Sequence, residues 1–379
     1  MERNHTLLLR AGALSLMMLI MSATTITSRA AGNGDHAQGN SFIGGFNTVT
    51  VVSSTVPSNG DVNPYGVAQV PRSKGSLVEG DFLISNFNNV GNQQGTGTTI
   101  VQIAPDGTFS QFAQIDASKV SCPGGIGLTT ALVVLQSGLV IVGSLPTSDG
   151  TSATAEAGCL IVLNSTGKVI KTISGHHLNG PWDMTAVDGG VFAVLFVTNV
   201  LNGTVAANGN VVNRGTVVRL LLDIDGDEQP ELLDSTVVGS GFPERTDPNA
   251  LVIGPTGVAF DWETGILYVA DSLDNRIAAI PNALFRGSSA ATGFTVSEGG
   301  SLNDPLGLAL TPNHHLVAAN GDDGNIVEIN PVNGKQVAVK LVDNTGGPPP
   351  GSGALFGLIA VPGGVYFVDD ASNTFNLLN

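Results

Sequence analysis

Apolar runs of strand length, each bounded by Gly, Pro, Asn or Asp, follow one another along most of the chain. Six segments share one plan: a small turn, an apolar strand, a second turn, a second strand ending in a polar residue, and a third strand. The opening turns align as Asn63-Pro64-Tyr65-Gly66, Gly124-Gly125-Ile126-Gly127, Gly180-Pro181-Trp182-Asp183, Gly254-Pro255-Thr256-Gly257, Asp304-Pro305-Leu306-Gly307 and Ala354-Leu355-Phe356-Gly357. First strands such as Val258-Ala259-Phe260 and Leu308-Ala309-Leu310 follow them. The second strands end at Asn86, Ser144, Asn199, Asp271, Asn320 and Asp369.

Successive units are offset by 61, 56, 74, 50 and 50 residues. Those gaps suit four-stranded propeller blades of about 40–50 residues with insertions in the first three. One small twisted sheet cannot bury both faces alone, whereas six around an axis bury them against one another. The fold class expected is therefore all-β, a six-bladed β-propeller. The last unit is one strand short, and residues 47–55 alternate like a strand ahead of the first turn. Pairing that segment with Thr374 to Leu378 would complete the sixth blade and close the ring.

Pro255-Thr256-Gly257-Val258-Ala259, followed by Gly265 to Asp271 and Asp274-Asn275-Arg276-Ile277, resembles an NHL repeat. The fifth unit, Pro305 to Ala309 with Asn325-Ile326, is a weaker copy. The resemblance implies a six-bladed NHL-type propeller and no single activity, since that family contains binders, scaffolds and enzymes.

The 50 Gly and 19 Pro of the 379 residues agree with a turn-rich all-β chain, as does the 12% charged content. Fifteen basic against 31 acidic residues give a net charge of -16. That field repels phosphate backbones, which argues against nucleic acid as a partner, and attracts cations. Residues 1–30 read as an export signal. Arg3 and Arg10 lead an apolar stretch from Ala11 to Met21, and Ser28-Arg29-Ala30 supplies a cleavage pattern. Residues 31–46 read as a flexible lead-in, and residues 47–379 as one propeller domain exported to the periplasm or the cell exterior. No later stretch is apolar for long enough to make a membrane helix.

Strand alternation puts the opening turns and the second-to-third strand loops on one face, here called the top. The long inserts from Phe87 to Thr98, Pro146 to Gly158 and Val200 to Gly215 also fall there, and long loops on a rigid scaffold commonly carry binding. Asp183 stands where the other five units have Gly. A top-face axial site is expected around it, with Trp182, Asn63, Tyr65, Asn179 and Asp304 contributing. Oxygens of Asp183, Asp304 and Asn63 converging there would suit Ca²⁺. Asn179-Gly180-Pro181-Trp182 also resembles the Glu-Gly-Pro-x-Trp turn of the regucalcin and gluconolactonase family, which has an axial metal. Asn179 stands where that family has its metal-binding Glu.

A second acidic cluster, with Asp223, Asp225 and Asp227 at alternate positions, resembles a calcium loop on the bottom face and also reads as a hairpin turn around Asp225-Gly226. His176-His177 and His314-His315 fall on opposite faces, so they cannot share one metal. Cys122 and Cys159 are the only cysteines. One strand up and one strand back should return the chain to the same face, so a disulfide between them is expected in an oxidising compartment. Two functions remain in view. One is an exported scaffold that binds a small molecule or protein through its top-face loops. The other is a Ca²⁺-assisted, lactonase- or esterase-like hydrolase.

Overall fold

The structure is a computed structural model that describes residues 40–224 and 229–379. Its strands form six sheets, five of four strands and one of five, arranged as the blades of a propeller. Blade 1 comprises Val62–Gln69, Phe82–Asn88, Thr99–Ile103 and Phe109–Gln114. Blade 2 comprises Leu128–Val134, Val140–Ser144, Cys159–Leu163 and Val169–Ile173. Blade 3 comprises Pro181–Asp188, Phe192–Asn199, Val212–Asp223 and Glu231–Asp247, with Leu251–Ile253 added at its edge. Blade 4 runs through Pro255–Asp261, Ile266–Asp271, Arg276–Ile280 and Phe294–Glu298. Blade 5 runs through Pro305–Leu310, Leu316–Asn320, Asn325–Ile329 and Gln336–Leu341. Blade 6 joins Leu355–Val361, Gly364–Asp369 and Thr374–Leu378 to Val49–Ser54 from the other end of the chain.

That last pairing closes the ring as the sequence predicts. It is antiparallel and runs from Val49 opposite Leu378 to Ser54 opposite Thr374. Phe375 is fully buried at the seam, stacked near Tyr366 of its own blade and Phe82 of blade 1.

The second strands of each blade are apolar on both faces because each face meets a neighbouring blade. Ile266–Asp271 and Leu316–Asn320 are almost wholly buried, and the outermost Gln336–Leu341 alternates half-buried with exposed. The blades are also tied through hydroxyls. Ser85 Oγ donates to the Thr129 carbonyl at 2.7 Å, and Thr198 Oγ1 donates to the Thr256 carbonyl at 2.8 Å. Nearest the axis, Gly66, Gly257, Gly307 and Gly357 permit a closer approach in blades 1, 4, 5 and 6. A Cβ on Gly307 would stand 2.2 Å from the Phe356 carbonyl oxygen, and one on Gly357 the same distance from that of Tyr65.

Residues 40–46, the end of the stretch expected to be a flexible lead-in, are docked against blades 5 and 6. The buried Glu328 carboxylate accepts the backbone N–H groups of Phe42 and Ile43 at 2.7 and 2.9 Å and the Ser41 hydroxyl at 2.5 Å. His315 Nδ1 lies 2.6 Å from the same carboxylate. Ile43 is fully buried among Val317, Ile326 and Phe367. Cys122 and Cys159 form the expected disulfide, with a Cα–Cα distance of 5.4 Å.

Candidate functional site

Of the residues just before the ring position in the aligned opening turns, Tyr65, Trp182, Leu306 and Phe356 are large and apolar and lie within one buried cluster. Ile126 of the second turn instead packs against the cluster between blades 1 and 2. Tyr65 stacks on Phe356 with ring centroids 3.8 Å apart, and Trp182 lies 6.4 Å from Phe356. Together they plug the upper end of the axis.

A lid covers the plug. The long strand Glu231–Asp247 overshoots its blade and turns back into Leu251–Ile253. Asp247 Oδ1 accepts the N–H groups of Asn249 and Ala250, which holds that turn closed. Trp182 Nε1 donates to the Val252 carbonyl at 3.0 Å, and Gln94 Nε2 donates to the Pro248 carbonyl at 2.9 Å. The inserts around Gln94 and Thr147 knit to each other, with Thr147 N donating to the Gly95 carbonyl at 3.0 Å. The top-face inserts thus cover the axis and leave among themselves a cavity of about 490 Å³ lined by Gln94, Thr151, Arg245, Asp247 and Leu251.

Below the plug lies an axial channel with a volume of about 300 Å³. Asp183, Thr130, Met184, Val258 and Leu308 line its buried upper part, and Gln69, Val134, Thr185 and Ile359 line the half-exposed part toward the lower face. The channel is therefore approached from below. Asp183 reaches across from blade 3 to blade 4, where its Oδ2 accepts the Val258 N–H at 3.0 Å. It fills at this blade junction the space that the ring glycines leave to the neighbouring backbone elsewhere. Burial pushes its carboxyl up to about 7, opposed by hydrogen bonds from the Val258 and Met184 backbone.

The residues expected to share a top-face site are divided by the plug. Trp182 and Tyr65 belong to the plug itself, and Asp183 lies beneath it. Asn63 and Asp304 precede the ring position by three residues, on the far side of the plug. Both take left-handed backbone, with φ of 58° and 52°. Their N–H groups donate to Asn373 and Asn275. Asn179 bonds to Asn199 and Asn202 in the turn that opens blade 3. Asp304 is pushed up to about 7 by burial and by Asp322 and Asp247.

Among the described residues, no group of three or more His, Cys, Asp or Glu side chains is placed to hold a metal. Asp183 engages a backbone N–H among apolar walls and is cut off from Asn63 and Asp304. The three therefore do not present the converging oxygens that an axial Ca²⁺ needs. Of the lower acidic cluster, Asp223 pairs across the sheet with Glu231, whereas Asp225 and Asp227 lie outside the described residues. The polar ends of the second strands close turns. Ser144 Oγ donates to the Gly125 carbonyl, Asn320 Nδ2 to that of Ser301, and Asp271 pairs with Arg276 at 2.6 Å.

Two features of the site went unread in the sequence. The plug was signalled by a large apolar residue before the ring position in five units, of which all but Ile126 supply it, and the channel threonines by their place on the first strands.

No protein-family model matches this chain, and no curated protein does. Solved structures match over most of its length. A gluconolactonase from Xanthomonas campestris is 12% identical with a TM-score of 0.52, and the match covers 87% of this chain and 88% of that one. A luciferin-regenerating enzyme is 10% identical with a TM-score of 0.53, covering 88% and 95% of the two chains. The PQQ-bound aldose sugar dehydrogenase of Streptomyces coelicolor is 14% identical with a TM-score of 0.52, covering 87% and 97%. At such identities the likeness speaks for architecture: this chain shares the six-bladed propeller fold of the gluconolactonase structure, as its repeat pattern implied.

Proposed function

We propose that this chain is an exported binding propeller that takes a small ligand into its axial channel from the lower face. The observation that carries the reading is the channel itself: one end is open, the other is sealed by the Tyr65–Trp182–Leu306–Phe356 plug, and a single carboxyl sits at the sealed end. A concave cavity with few convergent polar side chains is the usual form of a small-molecule site, and here aliphatic side chains share the wall with exposed polar atoms. The Cys122–Cys159 disulfide supports export, because such bonds persist in oxidising compartments. Among the described residues no helix is long and apolar enough to cross a membrane. The solved structures of similar fold include enzymes, but no pair of acid and base side chains lines the channel among the described residues, which favours binding over hydrolysis.

Uncharged n-alkanols test the channel without invoking a particular ligand. Calorimetric titration with butanol, hexanol and octanol should show saturable binding that strengthens by roughly 0.8 kcal/mol per added CH₂ until the cavity is full. Thr185→Phe, which fills the half-buried stretch below Asp183, should abolish it. Absence of saturable binding, or binding indifferent to Thr185→Phe, removes the proposal.

A further inference from the structure

Asp183 is the one ionisable side chain among the described residues that line the channel. Its carboxyl accepts the Val258 N–H at Oδ2 and a hydrogen bond from the Met184 backbone, but no Lys, Arg or His stands in the wall to pair with its charge. Thr130, 5% exposed, lines the same buried part, and its Oγ1 has no hydrogen-bond partner. Its carbonyl lies against Gly66 as those of Tyr65 and Phe356 lie against Gly357 and Gly307, which places it one residue before the ring position, beside the plug. Two polar groups with unused capacity thus sit at the sealed end, walled by Leu132, Met184, Val258 and Leu308.

Those groups differ in what they lack. A carboxylate out of water lacks a counter-charge, and a buried hydroxyl lacks either a donor or an acceptor. One ligand group answers both: an ammonium, which carries positive charge and several N–H donors. An alcohol or amide of the same size could satisfy the hydrogen bonds but not the charge. Charge-assisted hydrogen bonds are roughly twice as strong as neutral ones, and more so away from bulk water. The net charge of -16 also raises the local concentration of cations around the molecule.

We propose that the channel selects small amphipathic amines, held with the ammonium against Asp183 and Thr130 and the alkyl body along the apolar wall. The proposal rests on the axial-ligand reading above and names the chemical class of its ligand. The amine enters from the lower face with its charged end leading, since the plug closes the upper end. No covalent step is involved.

Hexylamine and hexanol, titrated calorimetrically into the disulfide-intact chain at fixed ionic strength, separate the two readings. Hexylamine should bind about tenfold more tightly than hexanol. Asp183→Asn should erase that preference while hexanol binding persists, because Asn keeps an acceptor for the Val258 N–H. Thr185→Phe should abolish both. Hexyltrimethylammonium, which has the charge but no N–H, should bind wild-type protein more weakly than hexylamine. This comparison holds even if Asp183→Asn does not fold. If hexanol binds and hexylamine binds no better, the amine proposal fails and the channel reading stands. Binding of neither overturns both. Hexylamine binding that survives Thr185→Phe is association with the acidic surface and also overturns the proposal.

Discussion

Asp183 occupies a position that glycine takes in blades 1, 4, 5 and 6 and Ala131 takes in blade 2, where the structure shifts the ring position four residues past Gly127 of the opening turn. It is buried there with a carboxyl pushed up to about 7. The protonated form is therefore favoured by the folded state. In the unfolded chain the same carboxyl titrates near 3.8, so folding is unopposed by this group below that pH and loses stability as pH rises toward 7. A difference of about three units sets a ceiling of about 4 kcal/mol. Asp183→Asn removes the titration and retains an oxygen for the Val258 N–H. Urea unfolding should show the variant gaining on wild type at pH 8, gaining less than half as much at pH 5, and gaining almost nothing near pH 3. A gain equal at the three values would show that the carboxyl is not the source. The sequence exposed this residue plainly, as the exception in a glycine column. It did not reveal which way the site opens, because that depends on where Tyr65, Trp182, Leu306 and Phe356 send their rings. A turn pattern records their positions but not their directions.

The strands themselves were legible because their spacing and polar ends repeat; the elements that were not legible are those outside the repeat. Leu251–Ile253 lies within the 74-residue gap between the third and fourth units, where a three-residue apolar run resembles any loop. The docked segment 40–46 precedes every motif, and its signal lay elsewhere, in Glu328 within the apolar strand Asn325–Ile329. An acidic side chain that is fully buried there must find donors, and it finds them in Ser41, Phe42 and Ile43. Glu328→Ala leaves two backbone N–H groups and the His315 ring without their acceptor. The expected loss is about 3 kcal/mol, given the cost of stranding buried polar groups. Hydrogen exchange should locate it: the amides of Phe42 and Ile43 should exchange faster, while those of blade 2 keep their protection. Unchanged exchange at these two amides would mean that apolar packing of Ile43 alone holds the segment.

At the scale of the whole molecule, a propeller is only as stable as the seam where its two ends meet. Here the seam is made by strands far apart in sequence, Val49–Ser54 and Thr374–Leu378, and the Asn47 N–H donates to the Asn379 carbonyl at 3.0 Å. No disulfide spans it, since Cys122–Cys159 lies within blade 2. The seam depends on burial, and Phe375 is its centre, 5.1 Å from the Phe82 ring of blade 1 and 5.2 Å from Tyr366. Phe375→Ala should cost about 3–5 kcal/mol, the range for truncating a fully buried aromatic side chain. The loss should not be evenly spread. Closing the ring fixes the first and last blades together, so opening it frees both edges of the seam before it disturbs the far side. Hydrogen exchange in the variant should accelerate along Val62–Gln69 and Leu355–Val361 while Val212–Asp223 in blade 3 retains its protection. A uniform loss around all six blades would instead mean that the ring unfolds as one unit and that the seam has no local stability of its own.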